Sequence, residues 1–211
     1  MKSGFTHEST FSESKEWYTP VEVFKAIGLY YDLDPCSPGP DIAPWIPAKF
    51  HFTIKDNGLD KQWFGKVYMN PPYGSDTPLW LAKLAGHGDG IALVFARTDT
   101  RWFHEYIPRA EAICFIKGRI QFIDAPHALE YAAGQYKPKN GGCGAASMLI
   151  AYGSTCADAL YKSSLGITLP VGKALEMFRT QWCFAGGCLR PNENQPQLPG
   201  SGQSNFTDKL F

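Results

Sequence analysis

The chain has 211 residues, of which 44% are hydrophobic, and its 20 basic and 20 acidic residues leave a formal net charge of +0. This length and composition predict one globular domain with a short appendage. The balanced charge argues against a general nucleic-acid coat protein, which would carry a strong basic excess, but it allows a local basic face.

Other classes of protein are also disfavoured. No apolar run reaches the ~18 residues of a membrane span, and the polar N-terminus lacks the apolar core of a signal peptide. The six cysteines and five histidines are scattered, with no pair spaced for a zinc site. We therefore expect an intracellular protein with free thiols, no metal site and no membrane partner.

The first predicted element is a short helix. Thr19 is its expected cap, Pro20 takes the first helical position and Gly28 ends it. The aromatic-rich stretch LYYDL then predicts a strand that ends at Asp34. A proline-rich loop over 38–47 follows this strand.

The middle of the chain predicts strands that alternate with helices. A short extended piece ends at Asp56, a strand over 66–69 ends at Asn70, and TPLWLAKLAGHG predicts a helix closed by Gly86. IALVF (91–95) is an unbroken apolar run of the kind that parallel sheets bury on both faces.

The later segments complete an α/β pattern. TDTRWFHEYIP predicts a helix, AICFIKGRIQFI predicts two strands around Lys117 and Gly118, and ASMLIAYG (146–153) predicts a last strand. This order favours a mostly parallel sheet with an antiparallel edge and helices on both faces. The expected organisation is a flexible N-terminus over 1–15, a main domain over 16–155, an appended helical segment over 156–182 and a disordered tail over 183–211.

The stretch VYMNPPYG ends its strand with Asn70, Pro71, Pro72 and Tyr73. A plain turn would also account for asparagine, proline and glycine at this position. The order of the residues suggests more, because the Asn70 side-chain oxygen and the Pro71 carbonyl are two converging acceptors and Tyr73 offers a flat aromatic face. In parallel sheets ligands lie beyond the carboxyl ends of the strands, where Asn70 and Asp34 both stand.

Two acceptors beside an aromatic face suit an amino group on a planar ring, as in adenine. Acceptors on the hydrogens of the amine favour a tetrahedral nitrogen, whose lone pair can attack an electrophile, and this stabilises the transition state. No side-chain nucleophile is needed if the electrophile is as reactive as the methyl sulfonium of S-adenosylmethionine.

An ordered set of stretches carries a resemblance to a known family. They are EWYTP (16–20), DLDPCS (32–37), DNGLDKQW (56–63), VYMNPPYG (67–74), FARTDTRWFH (95–104) and IKGRIQF (116–122). On these the chain resembles the phage-type DNA N6-adenine methyltransferases, the Dam family of phages and prophages. The resemblance implies a Rossmann-like, S-adenosylmethionine-dependent methyltransferase sheet and a protein of the bacterial cytoplasm. It also implies methyl transfer to N6 of an adenine flipped out of double-stranded DNA.

The resemblance also implies roles for individual residues. The catalytic residues would be Asn70, Pro71, Pro72 and Tyr73, and the cofactor-binding residues would be Thr19, Pro20, Asp32, Asp34, Pro35, Cys36, Asp56 and Asn70. Thr19 and Pro20 would pack over the methionine end of S-adenosylmethionine, and Asp56 would accept from its adenine amine. One departure is clear, because DPCS and the proline-rich loop replace the glycine-rich motif F-x-G-x-G.

Several of these residues have alternative interpretations. Asp32 and Asp34, two apart on one strand, are expected to share a face, and Asp56 also suits a turn in KDNG. The basic side chains Arg97, Arg101, Lys117 and Arg119 suit either DNA phosphates or a solvated surface. The long insertion 123–145 is the best candidate for DNA recognition.

Two other functions remain open on sequence grounds. The first is methylation of another amine or amide, such as an RNA adenine or a protein glutamine. The second is a non-catalytic DNA-binding relative of the enzymes, against which the intact NPPY stretch argues. Within the methyltransferase interpretation, the expected partner is double-stranded DNA and the expected state is a monomer.

Overall fold

The computed structural model describes residues 16–138 and 145–172, which form a mixed α/β structure. The strands are β1 (Trp17–Tyr18), β2 (Tyr31–Asp34), β3 (Ala48–His51), β4 (Val67–Met69), β5 (Gly90–Phe95), β6 (Ala112–Ile116), β7 (Ile123–Asp124), β8 (Ser147–Tyr152) and β9 (Gly166–Pro170). The α-helices in these residues are α1 (Val21–Ile27), α2 (Thr77–His87), α3 (Arg101–Tyr106), α4 (Ala128–Ala132) and α5 (Ser154–Lys162).

Seven strands form the main sheet in the order β3-β2-β4-β5-β8-β6-β9. The pairs β2–β3, β2–β4 and β4–β5 are parallel, whereas β5–β8, β6–β8 and β6–β9 are antiparallel. Five strands, β2 to β6, therefore run in one direction, and their carboxyl ends lie along one edge of the sheet.

The position of β8 corrects the expected arrangement of the sheet. Antiparallel pairing was predicted only at an edge, but β8 lies inside the sheet between β5 and β6. All six residues of β8 are buried, because they are covered by neighbouring strands on both sides and by core on both faces. A continuous apolar run indicates such a central strand but not its direction.

The sheet has helices on both faces, as predicted. One apolar cluster joins α1 and α5 to alternate sheet residues such as Tyr68 and Leu149. The other joins α2 and the segment around α3 to residues such as Met69 and Ile150. Burial on both faces explains why the central strands are uniformly apolar.

The predicted helix ends are close to those observed. Helix α1 begins after Pro20, which occupies the cap position in extended conformation, so Thr19, the expected cap, lies one residue before the observed cap. Gly28 ends α1 in the left-handed region (φ 69°), as predicted. Helix α2 ends at Gly88, not at Gly86.

The later part of the chain differs most from the expectation. Of the two strands predicted in AICFIKGRIQFI, only β6 joins the main sheet, and the short β7 pairs instead with β1. After residue 153, helix α5 is followed by β9, which extends the main sheet beside β6. The appended segment therefore contributes a strand to the domain as well as a helix. The rest of that predicted helix and the tail over 183–211 lie outside the described residues, as does the N-terminus over 1–15.

Within 16–138 and 145–172, no helix combines the length and the apolar character that a membrane crossing requires.

Candidate active site

The carboxyl ends of β2 and β4 form two walls of a cavity of about 460 Å³. The turn after β2 contributes Asp34 and Pro35, and the turn after β4 contributes Asn70 and Tyr73. The adjacent parallel strands bring these turns together, although they are far apart in the sequence.

Other segments close the cavity. The full set of lining residues is Glu16, Trp17, Tyr18, Thr19, Asp34, Pro35, Cys36, Ser37, Pro38, Ile42, Ile46, Thr53, Ile54, Asn57, Gly58, Leu59, Tyr68, Asn70, Pro71, Pro72, Tyr73, Asp76 and Trp80. The set contains three acidic residues, and none of the described residues that line the cavity is lysine, arginine or histidine. The cavity is therefore acidic, which suits a cationic or neutral ligand better than a phosphate.

Two hydrogen bonds fix the side chain of Asn70. Its amide nitrogen Nδ2 donates to the backbone carbonyl of Trp17 at 2.8 Å. Its oxygen Oδ1 accepts from the hydroxyl of Tyr73 at 3.0 Å. The bond to Trp17 decides which side of the amide carries the oxygen, because a carbonyl accepts only from the nitrogen.

Tyr73 packs against the end of the neighbouring strand. Its ring stacks on Phe95, the last residue of β5, with ring centroids 4.0 Å apart and planes 13° apart. Thr77, at the start of α2, ties down the turn: its hydroxyl donates to the Pro72 carbonyl at 3.0 Å and accepts from the Gly74 N–H at 3.1 Å. The NPPY turn is thus held by groups on either side of it.

Asp34 is a buried acid on the cavity wall, with 3% of its surface exposed. Burial raises the pKa of Asp34 to about 7, although Oδ1 accepts from the Cys36 N–H at 3.1 Å, which opposes the shift. The Cys36 thiol donates to the Asn70 carbonyl at 3.3 Å, and burial and the neighbouring Asp34 raise its pKa well above the ordinary value. Cys36 is therefore a neutral thiol that links the two turns.

The segment before α1 forms a further wall. Thr19 lines the cavity, and its hydroxyl lies 2.7 Å from that of Tyr68, within a hydrogen bond. The Thr19 carbonyl accepts from the indole nitrogen of Trp45 at 2.8 Å. Pro20 is buried at the start of α1 and does not line the cavity.

Asp32 was expected to share a face with Asp34, but it lies apart from the cavity that Asp34 lines. The N–H groups of Asp32 and Leu33 both donate to the Lys66 carbonyl, at 2.8 and 3.3 Å, which is the pattern of a β-bulge. The bulge breaks the alternation, and Tyr31 and Leu33 consequently belong to opposite core clusters. The Asp32 carboxylate is exposed and accepts from the Lys66 N–H at 2.7 Å.

Asp56 adopts the turn that the sequence offered as its alternative. Its Oδ2 accepts from the N–H and the hydroxyl of Thr53, at 2.8 and 2.9 Å, and these bonds lower the pKa of Asp56. The carboxylate is not part of the cavity wall, whereas Thr53 and the following Asn57 are. Asp56 thus shapes the loop that reaches the cavity.

Gly58 makes the closest approach between this loop and the turn after β2. A Cβ atom there would lie 1.9 Å from the Pro35 carbonyl oxygen, so only glycine fits. The Gly58 carbonyl accepts from Trp63 Nε1 at 2.8 Å and from the ammonium of Lys83 at 3.3 Å. Lys83 also donates to the carbonyls of Leu59 and Lys61, which holds this wall against α2.

A comparison with known families identifies the chain. The sequence model of the DNA N-6-adenine-methyltransferase (Dam) family matches residues 7–141, more than half of the chain. The chain belongs to the Dam family. Membership implies a transferase that methylates DNA adenine at N6, and DNA is a substrate consistent with the family. No curated protein and no solved structure matches the chain.

The Dam-family match contains both cavity turns and ends before β8. The part of the chain after residue 141 nevertheless completes the sheet, since β8 lies between β5 and β6. The described structure of this family member therefore depends on residues beyond the matched segment.

The four basic residues predicted to contact DNA follow the ends of β5 and β6. Arg97 and Arg101 come after β5, and Lys117 and Arg119 come after β6, on the edge of the sheet that also carries Asn70. All four are exposed. Arg101 lies 3.6 Å from Glu105 in the next turn of α3, a surface pair of little energetic value.

Several cavity residues were not singled out from the sequence. Glu16, Trp17 and Tyr18 belong to EWYTP, one of the stretches that carry the family resemblance, so a signal for them existed. Ile42 and Ile46 lie in the proline-rich loop and had none. Trp80 and Tyr68 are buried residues that also lie on the cavity wall. Asn57, Gly58 and Leu59 line the cavity too, and they belong to DNGLDKQW, another of the stretches that carry the resemblance.

Proposed function

We propose that this protein transfers a methyl group from S-adenosylmethionine to N6 of an adenine flipped out of double-stranded DNA, at a specific sequence. The observation that carries the proposal is the Asn70–Tyr73 turn on the wall of an acidic cavity, in a chain of the Dam family. The mixed seven-stranded sheet is compatible with a methyltransferase-like fold.

The residues of the cavity fit S-adenosylmethionine. A volume of about 460 Å³ falls in the range of sites for ligands of this size. The acidic wall around Asp34 suits the ammonium and sulfonium charges, and apolar side chains such as Ile42, Ile46 and Trp80 suit a purine ring. Pro35, Cys36 and Thr19 would complete the contacts from the two neighbouring segments. Bound there, S-adenosylmethionine would supply the methyl group on a positively charged sulfur.

Asn70 and Pro71 would receive the target amine. The Asn70 Oδ1 and the Pro71 carbonyl would each accept one amine hydrogen, which favours a tetrahedral nitrogen with a free lone pair. The Trp17 carbonyl keeps Nδ2 on the other side of the amide, so that Oδ1 is the atom presented. Acceptors fixed before the reaction stabilise the charge that develops on the amine without reorganisation.

Tyr73 would exchange one role for another as the base enters. Its hydroxyl donates to Asn70 Oδ1 at 3.0 Å, a bond that the target amine would replace. One face of its ring is covered by Phe95, and stacking on the other face would hold the flipped adenine.

The basic edge would bind the duplex around the flipped base. Arg97, Arg101, Lys117 and Arg119 would contact phosphates, which position the DNA without reading its sequence. The insertion 123–145, of which the structure describes 123–138 and 145, would supply base contacts, since it belongs to the stretch between β6 and β8, which is longer than the other connections between consecutive described strands of the main sheet.

Expression in a bacterium that lacks adenine methylation tests the proposal, with modification-sensitive sequencing of its DNA. We expect N6-methyladenine at one sequence motif, and none with Asn70→Ala. Label from S-adenosylmethionine in RNA or protein, with unmodified DNA, would contradict the substrate. A folded protein that binds DNA but retains no labelled S-adenosylmethionine would indicate a non-catalytic relative.

A further inference from the structure

The orientation of the Asn70 amide depends on a strand that does not belong to the main sheet. Its partner, the Trp17 carbonyl, lies in β1, which has only two residues. Strand β1 pairs with β7 in a separate two-stranded sheet, with Trp17 opposite Asp124 and Tyr18 opposite Ile123. So short a ladder cannot hold a strand in place by itself.

The segment that begins with β7 packs against β1 through buried side chains. Ile123 is completely buried and packs with Tyr18 and Ala128 in a third apolar cluster, apart from the two that flank the main sheet. Trp45 and Tyr131 extend this cluster, with their ring centroids 4.8 Å apart.

Tyr131 adds a polar tie to the same region. Its hydroxyl accepts from the Val21 N–H at 3.0 Å and donates to the Glu22 carboxylate at 3.0 Å, both in the first turn of α1. Residues 17–22 are thus held at their start by β7 and Ile123 and at their end by Tyr131.

We propose that the segment Ile123–Ala132 positions the catalytic amide, with Ile123 and Tyr131 acting on Asn70 through the Trp17 carbonyl. The inference rests on the proposed function for the role of Asn70 and adds residues more than 50 positions away from it. Without this docking the Asn70 amide loses its fixed partner and can turn Nδ2 towards the target amine, where a donor would meet a donor.

The first test is a double-mutant cycle of Ile123→Ala and Asn70→Asp, read out as single-turnover methyl transfer. An aspartate at position 70 cannot donate to the Trp17 carbonyl, so it removes the bond through which Ile123 is proposed to act. A misplaced catalytic group costs roughly 10-fold to 100-fold in rate. We expect Ile123→Ala to cost this much in the natural background and much less beside Asn70→Asp. Equal losses in both backgrounds would overturn the inference.

Ile107→Ala is the matched control for a loss of core packing. Ile107 is buried to a similar degree, at 6% exposed, and belongs to the cluster on the α2 side of the sheet. Its replacement is expected to lower thermal stability as Ile123→Ala does, without the loss of single-turnover rate in folded protein. The inference fails if both variants lose rate in proportion to stability.

A second measurement does not depend on activity. In protein labelled with ¹⁵N-asparagine, the Asn70 side-chain amide resonance is identified by its absence in Asn70→Asp. We expect its protons to exchange with water several-fold faster in Tyr131→Phe and in Ile123→Ala than in the natural protein, and to be unchanged in Tyr161→Phe. Unchanged exchange in the first two variants would overturn the inference. A protein that shows this coupling but methylates no DNA would instead refute the proposed function.

Discussion

The two parts of the carboxyl edge differ in how their polar groups are held. Beside β2 and β4, Asp34 is buried and bonded to neighbouring backbone, and Asn70 is bonded at both ends of its amide. Beside β5 and β6 the basic side chains are exposed, and Arg101 has 94% of its side chain in solvent. The first part is a rigid acidic cavity, and the second is a solvated basic rim.

This contrast separates the two tasks assigned to the protein. Chemistry on a small ligand needs groups fixed before the reaction, and burial provides that fixation. Binding of a phosphate backbone needs charge, which acts at long range and tolerates mobile side chains. Substitutions in the cavity should therefore have large and specific effects, whereas those on the rim should have small, additive and salt-dependent effects.

The largest effect is expected for Asn70→Ala. Loss of one well-placed polar group typically costs about 10²–10³-fold in rate, so the single-turnover rate of methyl transfer should fall by this factor while DNA affinity changes little. Tyr73→Ala should instead weaken binding of the target duplex, and Tyr73→Phe should do little, because the ring face holds the base. If Asn70→Ala keeps the single-turnover rate, the cavity is not the site of methyl transfer.

Gly58→Ala tests whether the fixed cavity wall matters for the cofactor. The added Cβ would lie 1.9 Å from the Pro35 carbonyl oxygen and push the loop away from the turn after β2. Binding would have to restore the displaced wall against a strain of the size that overpacking carries, about 1–3 kcal/mol. Calorimetry should therefore show affinity for S-adenosylhomocysteine reduced roughly 10-fold to 100-fold. Gly86→Ala is the control, since a Cβ there meets no atom within 4 Å. Equal affinities in both variants would contradict a rigid wall.

Asp34 should make stability depend on pH. Its pKa rises from 3.8 to about 7 on folding, so between these values the folded protein binds more protons than the unfolded chain. The free energy of unfolding should therefore fall as pH rises from about 4 to about 7. Asp34→Asn lacks this contribution, and urea unfolding of both proteins across this range measures the difference. Parallel pH profiles would show that folding does not raise the pKa of Asp34.

The smallest effects are expected on the basic rim. Alanine in place of Arg97, Arg101, Lys117 or Arg119 should weaken DNA binding several-fold, equally for all sequences, and each should reduce the slope of log affinity against log salt by about 1. Lys25→Ala is the control, because Lys25 lies in the last turn of α1, before β2 starts at the opposite edge. The contrast between the fixed cavity and the solvated rim would be wrong if a rim variant abolished DNA binding at low salt or changed the target sequence.

The sequence predicts those parts of this arrangement that depend on local pattern. The apolar run over 91–95 indicates a buried strand, and the general position of ligands beyond strand ends brings Asp34 and Asn70 together. Family resemblance supplies EWYTP, whose position on the cavity wall follows from no periodicity. These features account for most of the main sheet up to β6 and for the NPPY wall of the cavity.

The remaining features depend on contacts between distant residues. The bulge at Asp32 and Leu33 arises from two bonds to one carbonyl of β4, so strict alternation wrongly placed Asp32 beside Asp34. The bond between Asn70 and Trp17 joins residues that are far apart in the sequence, and Trp17 lies in a strand that pairs only with β7 among the described strands. The order β5-β8-β6 likewise comes from pairing between strands that are not consecutive in the sequence, which no local pattern indicates.

The central place of β8 also has a consequence for how the chain is made. Strands β5 and β6 are synthesised before β8 but do not pair with each other. Each of them pairs with β8, Ser147–Tyr152, which lies between them in the sheet. Until those residues leave the ribosome, two apolar strands have unpaired edges, which are prone to associate with other chains. Nascent chains that stop before residue 147 should thus need chaperones and aggregate when released, whereas chains that extend past β9 should fold without this risk.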